Sequence, residues 1–215
     1  MIDGLFNGLF VAEGSSDMPI ADIVERMFFD RGVVVRLSTP DFGRLGRVAK
    51  DVRSRLVAGA ELSGQTLDFV VVHRDADNAG PAARRMEIYD AVGSLATKPS
   101  CVPVIPVRMT EAWLLLDEGA IRFVAGNPRG RMPLGLPNVK EAEDRADPKQ
   151  ILAAVLLQAA HVTGRRREAL AKRFGQHRRQ LLERLDIKGV VAELSSWKQL
   201  VADIDSVVAE WASDQ

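Results

Sequence analysis

Cysteine is nearly absent: Cys101 is the only one in 215 residues. An intramolecular disulfide is therefore impossible, and so is a zinc site built from several cysteines. Both exclusions suit a reducing, cytoplasmic setting. Excess charge is absent as well, because 29 Lys and Arg balance 29 Asp and Glu. No global field draws the chain to nucleic acid, so any such binding needs a local patch. Uncharged apolar runs stay well short of the ~20 residues that a membrane span requires. The apolar run near the N-terminus has acidic flanks and no basic segment before it, and does not read as a signal peptide. No GxxxxGK[ST] sequence occurs, which excludes ATP hydrolysis on a P-loop.

What the chain does have is enough apolar material for a core. Hydrophobic residues make up 47% of it, which argues against disorder, and chains of this length bury most of the surface they expose when unfolded. Leu9 to Ala12 is a short apolar run that ends in Glu13-Gly14-Ser15-Ser16-Asp17. Ile20, Ile23, Val24, Met27 and Phe28 then follow at the spacing of one helix face, with Gly32 as its stop. The β-branched stretch 33–37 reads as a second strand, closed by Ser38-Thr39-Pro40. Leu45, Val48, Val52 and Leu56 mark another amphipathic helix. A third strand over 67–72 is almost unbroken in its apolarity, as in a parallel sheet covered on both faces. A helix over about 81–95 follows. A fourth strand over 102–107 contains Pro103 and Pro106, which points to an edge or irregular position. Thr110 then caps a helix that begins Glu111-Ala112-Trp113-Leu114.

This β–α alternation predicts an α/β fold with an open, mostly parallel sheet and flanking helices. After Gly126 the character changes. Residues 127–137 are rich in Gly, Pro and Arg and read as a loop, Asp147-Pro148 opens a helix as cap and first residue, and helical patterns continue over 151–160, 166–185 and 197–211. The expected organisation is an α/β domain over 1–126 and a C-terminal helical extension over 127–215. The extension packs on the sheet or serves as a partner-binding arm.

In an open parallel sheet, ligands collect beyond the carboxyl ends of the strands. Glu13 follows the first expected strand, Asp75 and Asp77 follow the third, and Glu111 lies just past the fourth. Carboxylates gathered at one sheet edge repel unless a cation or protons sit among them, and Mg²⁺ or Mn²⁺ is suited to such an oxygen-only set. The Asp75-Ala76-Asp77 spacing aims both side chains to one side if the strand is still extended there. Gly14 permits a tight turn after Glu13, with nearby N–H groups available to a phosphate. Each feature has a plainer explanation. Glu-Gly after a strand is often only a turn, Asp17 suits the N-cap of the next helix, and Asp-x-Asp is common turn chemistry.

Phe10-Val11-Ala12-Glu13-Gly14-Ser15-Ser16-Asp17 and Val70-Val71-Val72-His73-Arg74-Asp75-Ala76-Asp77 resemble the two motifs of the Toprim domain, which occurs in topoisomerases, primases, recombination proteins and overcoming-lysogenization-defect nucleases. Pro103 to Asp117, with its Glu111-Ala112-Trp113-Leu114 core, resembles a block of a Toprim-like bacterial family, the domain of unknown function numbered 4276. Asp147-Pro148-Lys149 and the basic helix after it resemble that family's end. The resemblance implies that Glu13 assists acid–base chemistry and, with Asp75 and Asp77, holds Mg²⁺ (or Mn²⁺), and that Glu111 is a further ligand. It implies a metal-dependent nuclease, with phage defence as a plausible setting. Gly14, Arg74 and Arg108 are the candidate substrate contacts; Arg74 either touches phosphate or neutralises the acidic site. Ala12 departs from the bulkier residue commoner in the first motif. The single tyrosine, Tyr89, falls on a helix expected to pack on the sheet and fits no topoisomerase role.

Two other readings remain open. The chain could be a non-catalytic or regulatory module working with a partner ATPase, and could self-associate as a homo-oligomer. A receiver- or phosphatase-type phosphoryl-transfer protein also gathers carboxylates at strand ends, although the lone Glu-Gly after the first strand argues against it. Arg165-Arg166-Arg167, Lys172-Arg173 and Arg178-Arg179 form either a phosphate-tracking stripe or a solvated helix face, with the neutral net charge favouring the latter. His161 and His177 read as surface residues, and Trp113, Trp197 and Trp211 as packing residues.

Overall fold

A computed structural model of the chain describes residues 4–42 and 48–213. The chain divides into two compact units: Met1–Arg74, Ala79–Ile105 and Lys198–Gln215 form one, while Asp75–Asn78 and Pro106–Trp197 form the other.

The first unit is built on a parallel sheet of β1 (Leu5–Val11), β2 (Val34–Ser38), β3 (Phe69–His73) and β4 (Ser100–Val104) in the order β2-β1-β3-β4. The fold class is thus the α/β open parallel sheet with flanking helices that the alternation predicts. Register is continuous across it: Leu5 lies beside Val34, Val11 beside Val72 and His73 beside Val104. Pro103 is tolerated because β4 is an edge strand: Ser100 and Val104 make the bonds toward β3's side, so Pro103 faces the outer side, where no strand needs an N–H. Every residue of β3 is buried, as a central strand covered on both sides requires.

The connecting helices are α1 (Pro19–Phe29), α2 (Val52–Ser63) and α3 (Pro81–Gly93). Phe28 of α1 meets Phe69 of β3 edge-on at 5.3 Å. The end of the last helix lies on the same face, where Trp211 stacks on Phe6 at 4.0 Å. Gly59 of α2 sits against Leu9 on the opposite face, so close that an added Cβ would fall 2.8 Å from a Leu9 methyl. Fully buried side chains such as Leu9, Phe10, Val70 and Leu56 each contribute about 1.5–3 kcal/mol through removal from water.

Several local expectations change. The α2 helix starts at Val52, capped by the Asp51 side chain accepting from the Ser54 N–H; Val48 precedes it, and Leu45 lies outside the described residues. Asp17 does not cap α1. Pro19 occupies the first turn, so the cap falls to Met18, and Asp17 is buried in a short 3₁₀ turn. Gly14 is extended (φ −143°), a conformation open to any residue. Tyr89 is exposed rather than packed on the sheet, with Arg85 donating to its hydroxyl.

The second unit is helical: α4 (Glu111–Leu114), α5 (Glu118–Val124), α6 (Val139–Ala142), α7 (Pro148–Ala160), α8 (Gly164–Lys172), α9 (Phe174–Glu183) and the start of α10 (Ser195–Ser213), whose remainder belongs to the first unit. The expected helix over 166–185 is therefore two helices, parted at Arg173. Asp147 caps α7 by accepting from the Gln150 N–H, with Pro148 in the first turn. Trp113 and Trp197 meet edge-on at 5.0 Å and are buried. The Trp113 indole N–H donates to the Ser196 hydroxyl. Glu143 in turn accepts from the N–H groups and hydroxyls of both Ser195 and Ser196, closing the N-terminus of α10. Burial pushes the Glu143 carboxyl up, but these four donors outweigh it and hold the group below its ordinary value. Among the described residues, no helix is long and apolar enough to cross a membrane.

Candidate functional site

In the sheet, β1 leads to β2 on one side, and the chain then returns to place β3 on the other side of β1. The point of reversal lies between β1 and β3, where open α/β sheets form a crevice beyond the strand carboxyl ends. Val11 and Val72 are the last register partners of these strands. Two residues further along each lie Glu13 and Arg74, and the Arg74 guanidinium pairs with the Glu13 carboxylate. Glu13 is half exposed while Arg74 is largely covered. Arg74 also lies 3.3 Å from Glu87, which Arg84 bonds at 2.8 Å. The Arg74 backbone N–H donates to the Val104 carbonyl, extending the ladder past the end of β3.

Behind this pair, His73 is buried, and its Nδ1 stands 3.9 Å from an oxygen of buried Asp17. Arg55 of α2 is also buried; its guanidinium donates to the Ala12 carbonyl and lies under the Phe42 ring at 5.4 Å. A cavity of about 60 Å³, room for a few waters, is lined here by Phe10, Glu13, Gly14, Ser15, Met18 and Arg55, among others.

The second unit carries the other candidates. Asp75 Oδ1 accepts from both the N–H (2.9 Å) and the hydroxyl (3.1 Å) of Thr110. Thr110 stands at the N-cap position of α4, but its hydroxyl makes no capping bond there; it orients Asp75 instead. Asp77 and Arg108 both adopt positive φ, 47° and 64°, and the Asp77 N–H donates to the Arg108 carbonyl. The backbone is therefore not extended at Asp77, and the strand-alternation argument for Asp75 and Asp77 does not apply. Positive φ is tolerated by Asp but costs Arg about 1 kcal/mol, and strain of this kind gathers at functional loops. The Arg108 guanidinium donates to the Asn78 side-chain oxygen.

Glu111 is buried and accepts from Arg178 Nε at 2.8 Å, with side-chain exposures of 4% and 8%. Sequence reasoning placed Arg178 on the basic stripe. The missed signal was its spacing from Leu181, Leu182 and Leu185, which puts it on the buried face of α9. Arg55 and the His73–Asp17 pair were also missed.

Among the described residues, no group of three or more His, Cys, Asp or Glu stands close enough together to hold a metal ion. Glu13 and Glu111 each face an arginine. Asp75 and Asp77 are both half-buried. Comparison with protein-family models, with curated proteins and with solved structures finds no match to this chain. The open parallel sheet with helices on both faces is compatible with a Toprim- or Rossmann-like fold.

Proposed function

We propose that this chain is a divalent-metal-dependent phosphodiesterase of the Toprim type that acts on nucleic acid, with Glu13, Asp75 and Asp77 as its central residues. The observation that carries this reading is the switch point. Glu13 follows β1 at the reversal of strand order, and β3, its neighbour there, runs through Arg74 directly into Asp75-Ala76-Asp77. Resemblance to the two Toprim motifs coincides with these positions.

In this reading Asp75 and Asp77 hold Mg²⁺ or Mn²⁺, which when bound lowers the pKa of a coordinated water and offsets charge on the phosphate. Thr110 acts as a positioning residue, because its two donors fix the orientation of the Asp75 carboxylate. Glu13, to which the resemblance gives the acid–base role, would act as general base at a carboxylate oxygen. Arg74, already paired with Glu13, holds that carboxylate in place and offers its guanidinium to a phosphate oxygen when substrate enters.

A second reading is favoured by the Arg74–Glu13 and Arg178–Glu111 pairs. Carboxylates neutralised by arginine have less need of a cation, as in a regulatory module that works with a partner ATPase. One experiment separates the two. Wild-type protein and an Asp75→Asn/Asp77→Asn variant are titrated with Mn²⁺ by calorimetry and incubated with plasmid and oligonucleotides. The phosphodiesterase reading expects metal binding and cleavage in the wild type, and loss of both in a variant that keeps its melting temperature. Cleavage that survives in the double variant refutes it, and a wild type that binds no metal at millimolar concentration favours the regulatory module.

A further inference from the structure

Helix α8 reads Gly-Arg-Arg-Arg-Glu-Ala-Leu-Ala-Lys and buries none of its residues. Residues 161–185 hold eight Arg and Lys against two Glu, an excess of six, in a chain whose overall charge is zero. Arg178 is used internally by Glu111, and Arg179 pairs with Glu183. Arg165, Arg166, Arg167, Lys172 and Arg173 are exposed, and none makes an ion pair among the described residues. Glu168, the only acid on α8, makes none either.

This arrangement works against the helix. Three arginines fill the first turn of α8, where the backbone dipole favours carboxylates, and Thr163 supplies no side-chain cap. A helix of nine residues gains little from propensity alone, and this one has no buried face to compensate. Unpaired charge held at such a place is suited to an anion from outside the chain.

The shape of the patch selects the anion. From Arg165 to Arg173 the cationic groups span about 12 Å along the axis, near three to four base-pair rises, which suits a polyanion better than a single phosphate. A helix that lies on a lipid surface needs an apolar face of Trp, Phe or Leu to insert. Helix α8 has only Leu170 and alanines. A nucleic-acid backbone needs no such face, because phosphate contacts are electrostatic and independent of sequence.

We propose that the exposed face of α8, with Arg173 at its end, is a docking surface for the phosphate backbone of nucleic acid. It rests on the phosphodiesterase reading for the choice of nucleic acid as the polyanion. Docking itself requires no metal.

The test measures binding of a fluorescent DNA duplex in EDTA across a range of NaCl, using the whole 215-residue chain. Arg165→Gln/Arg166→Gln/Arg167→Gln is compared with a charge-matched control, Arg53→Gln/Lys98→Gln/Arg129→Gln. Glutamine keeps helix propensity close to that of arginine, and circular dichroism checks that both variants fold. The α8 variant should lose affinity on the order of a hundredfold near 0.1 M salt, and the slope of log K against log salt should become shallower by about 3; the control should match the wild type. Equal losses in both variants overturn the proposal. So does a wild type that binds phosphatidylserine vesicles but not the duplex. The Asp75→Asn/Asp77→Asn variant should still bind in EDTA. If it binds through α8 while the wild type never cleaves, the surface stands and the catalytic reading falls; if the wild type cleaves and the α8 variant binds unchanged, the surface alone falls.

Discussion

Replacing Glu111 with Leu would remove the carboxylate that accepts from Arg178 Nε at 2.8 Å, in a site where only 8% of the arginine side chain reaches solvent and the guanidinium cannot shed its charge. Removing one partner of a buried pair costs about 3–5 kcal/mol. For a chain of this size each kcal/mol moves the melting temperature by about 2–4 °C, so Glu111→Leu should melt on the order of 10 °C below wild type. Arg178→Met should also destabilise, because it leaves the buried Glu111 carboxylate without the guanidinium it accepts from. The double variant Glu111→Leu/Arg178→Met replaces the pair with apolar groups of similar size and should return to within about 1 kcal/mol of wild type. Urea unfolding of all four proteins gives the coupling energy directly. The reasoning fails if Glu111→Leu unfolds within about 1 kcal/mol of wild type, or if the two single losses simply add. The same set bears on the role expected of Glu111 as a metal ligand. If its work is to satisfy Arg178, stabilisation by Mn²⁺ should be the same in wild type and double variant; a loss of that stabilisation in the double variant would restore Glu111 to the ligand set.

Glu143 should behave as an acid-sensitive clasp. Its carboxyl is held below the ordinary carboxylate value in the folded chain, so its contribution is complete above that ordinary value and is lost as pH falls through the folded one. Glu143→Ala should cost about 1–2 kcal/mol at neutral pH, with a melting gap to wild type that closes in acid. A gap independent of pH would contradict this. Cys101 should be inert: burial, with a smaller push from Asp203, raises its thiol to about 12. Iodoacetamide at about pH 8 should label the folded protein on the order of a thousandfold more slowly than free cysteine; a rate within about tenfold of free cysteine would refute the assignment.

What could be read from sequence followed the range of the interaction. Continuous apolar runs located β1 and β3, Pro103 marked β4 as an edge strand, although it spans Ser100–Val104 and leaves Pro106 outside, and the 3.6-residue spacing of Ile20, Ile23, Val24, Met27 and Phe28 located α1, because each is a local signal. Some failures were local too. Pro19 in the first turn is itself a local sign that Met18, not Asp17, is the cap. Reading Arg178 with its charged neighbour rather than with Leu181 and Leu182 counted charge and overlooked periodicity. Thr110 is different. Its hydroxyl orients Asp75, 35 residues away, and no local pattern distinguishes that from an N-cap.

The Glu13–Arg74 pair lies between these cases. Its partners are distant in sequence, yet once β1 and β3 are taken as adjacent parallel strands, residues equally far past their ends become neighbours. In a parallel sheet, strand order therefore turns a long-range contact into a counting problem. The count shows why arginine rather than aspartate faces Glu13 in the first unit: Arg74 matches its offset past the strand end, and Asp75 is one residue beyond. A carboxylate at the matching position would have faced Glu13 directly, with no cation to offset the repulsion. The one-residue offset places a permanent cation beside Glu13. The Asp75→Asn/Asp77→Asn variant should keep its fold, because the asparagine side-chain oxygen can still accept from the Thr110 N–H and hydroxyl.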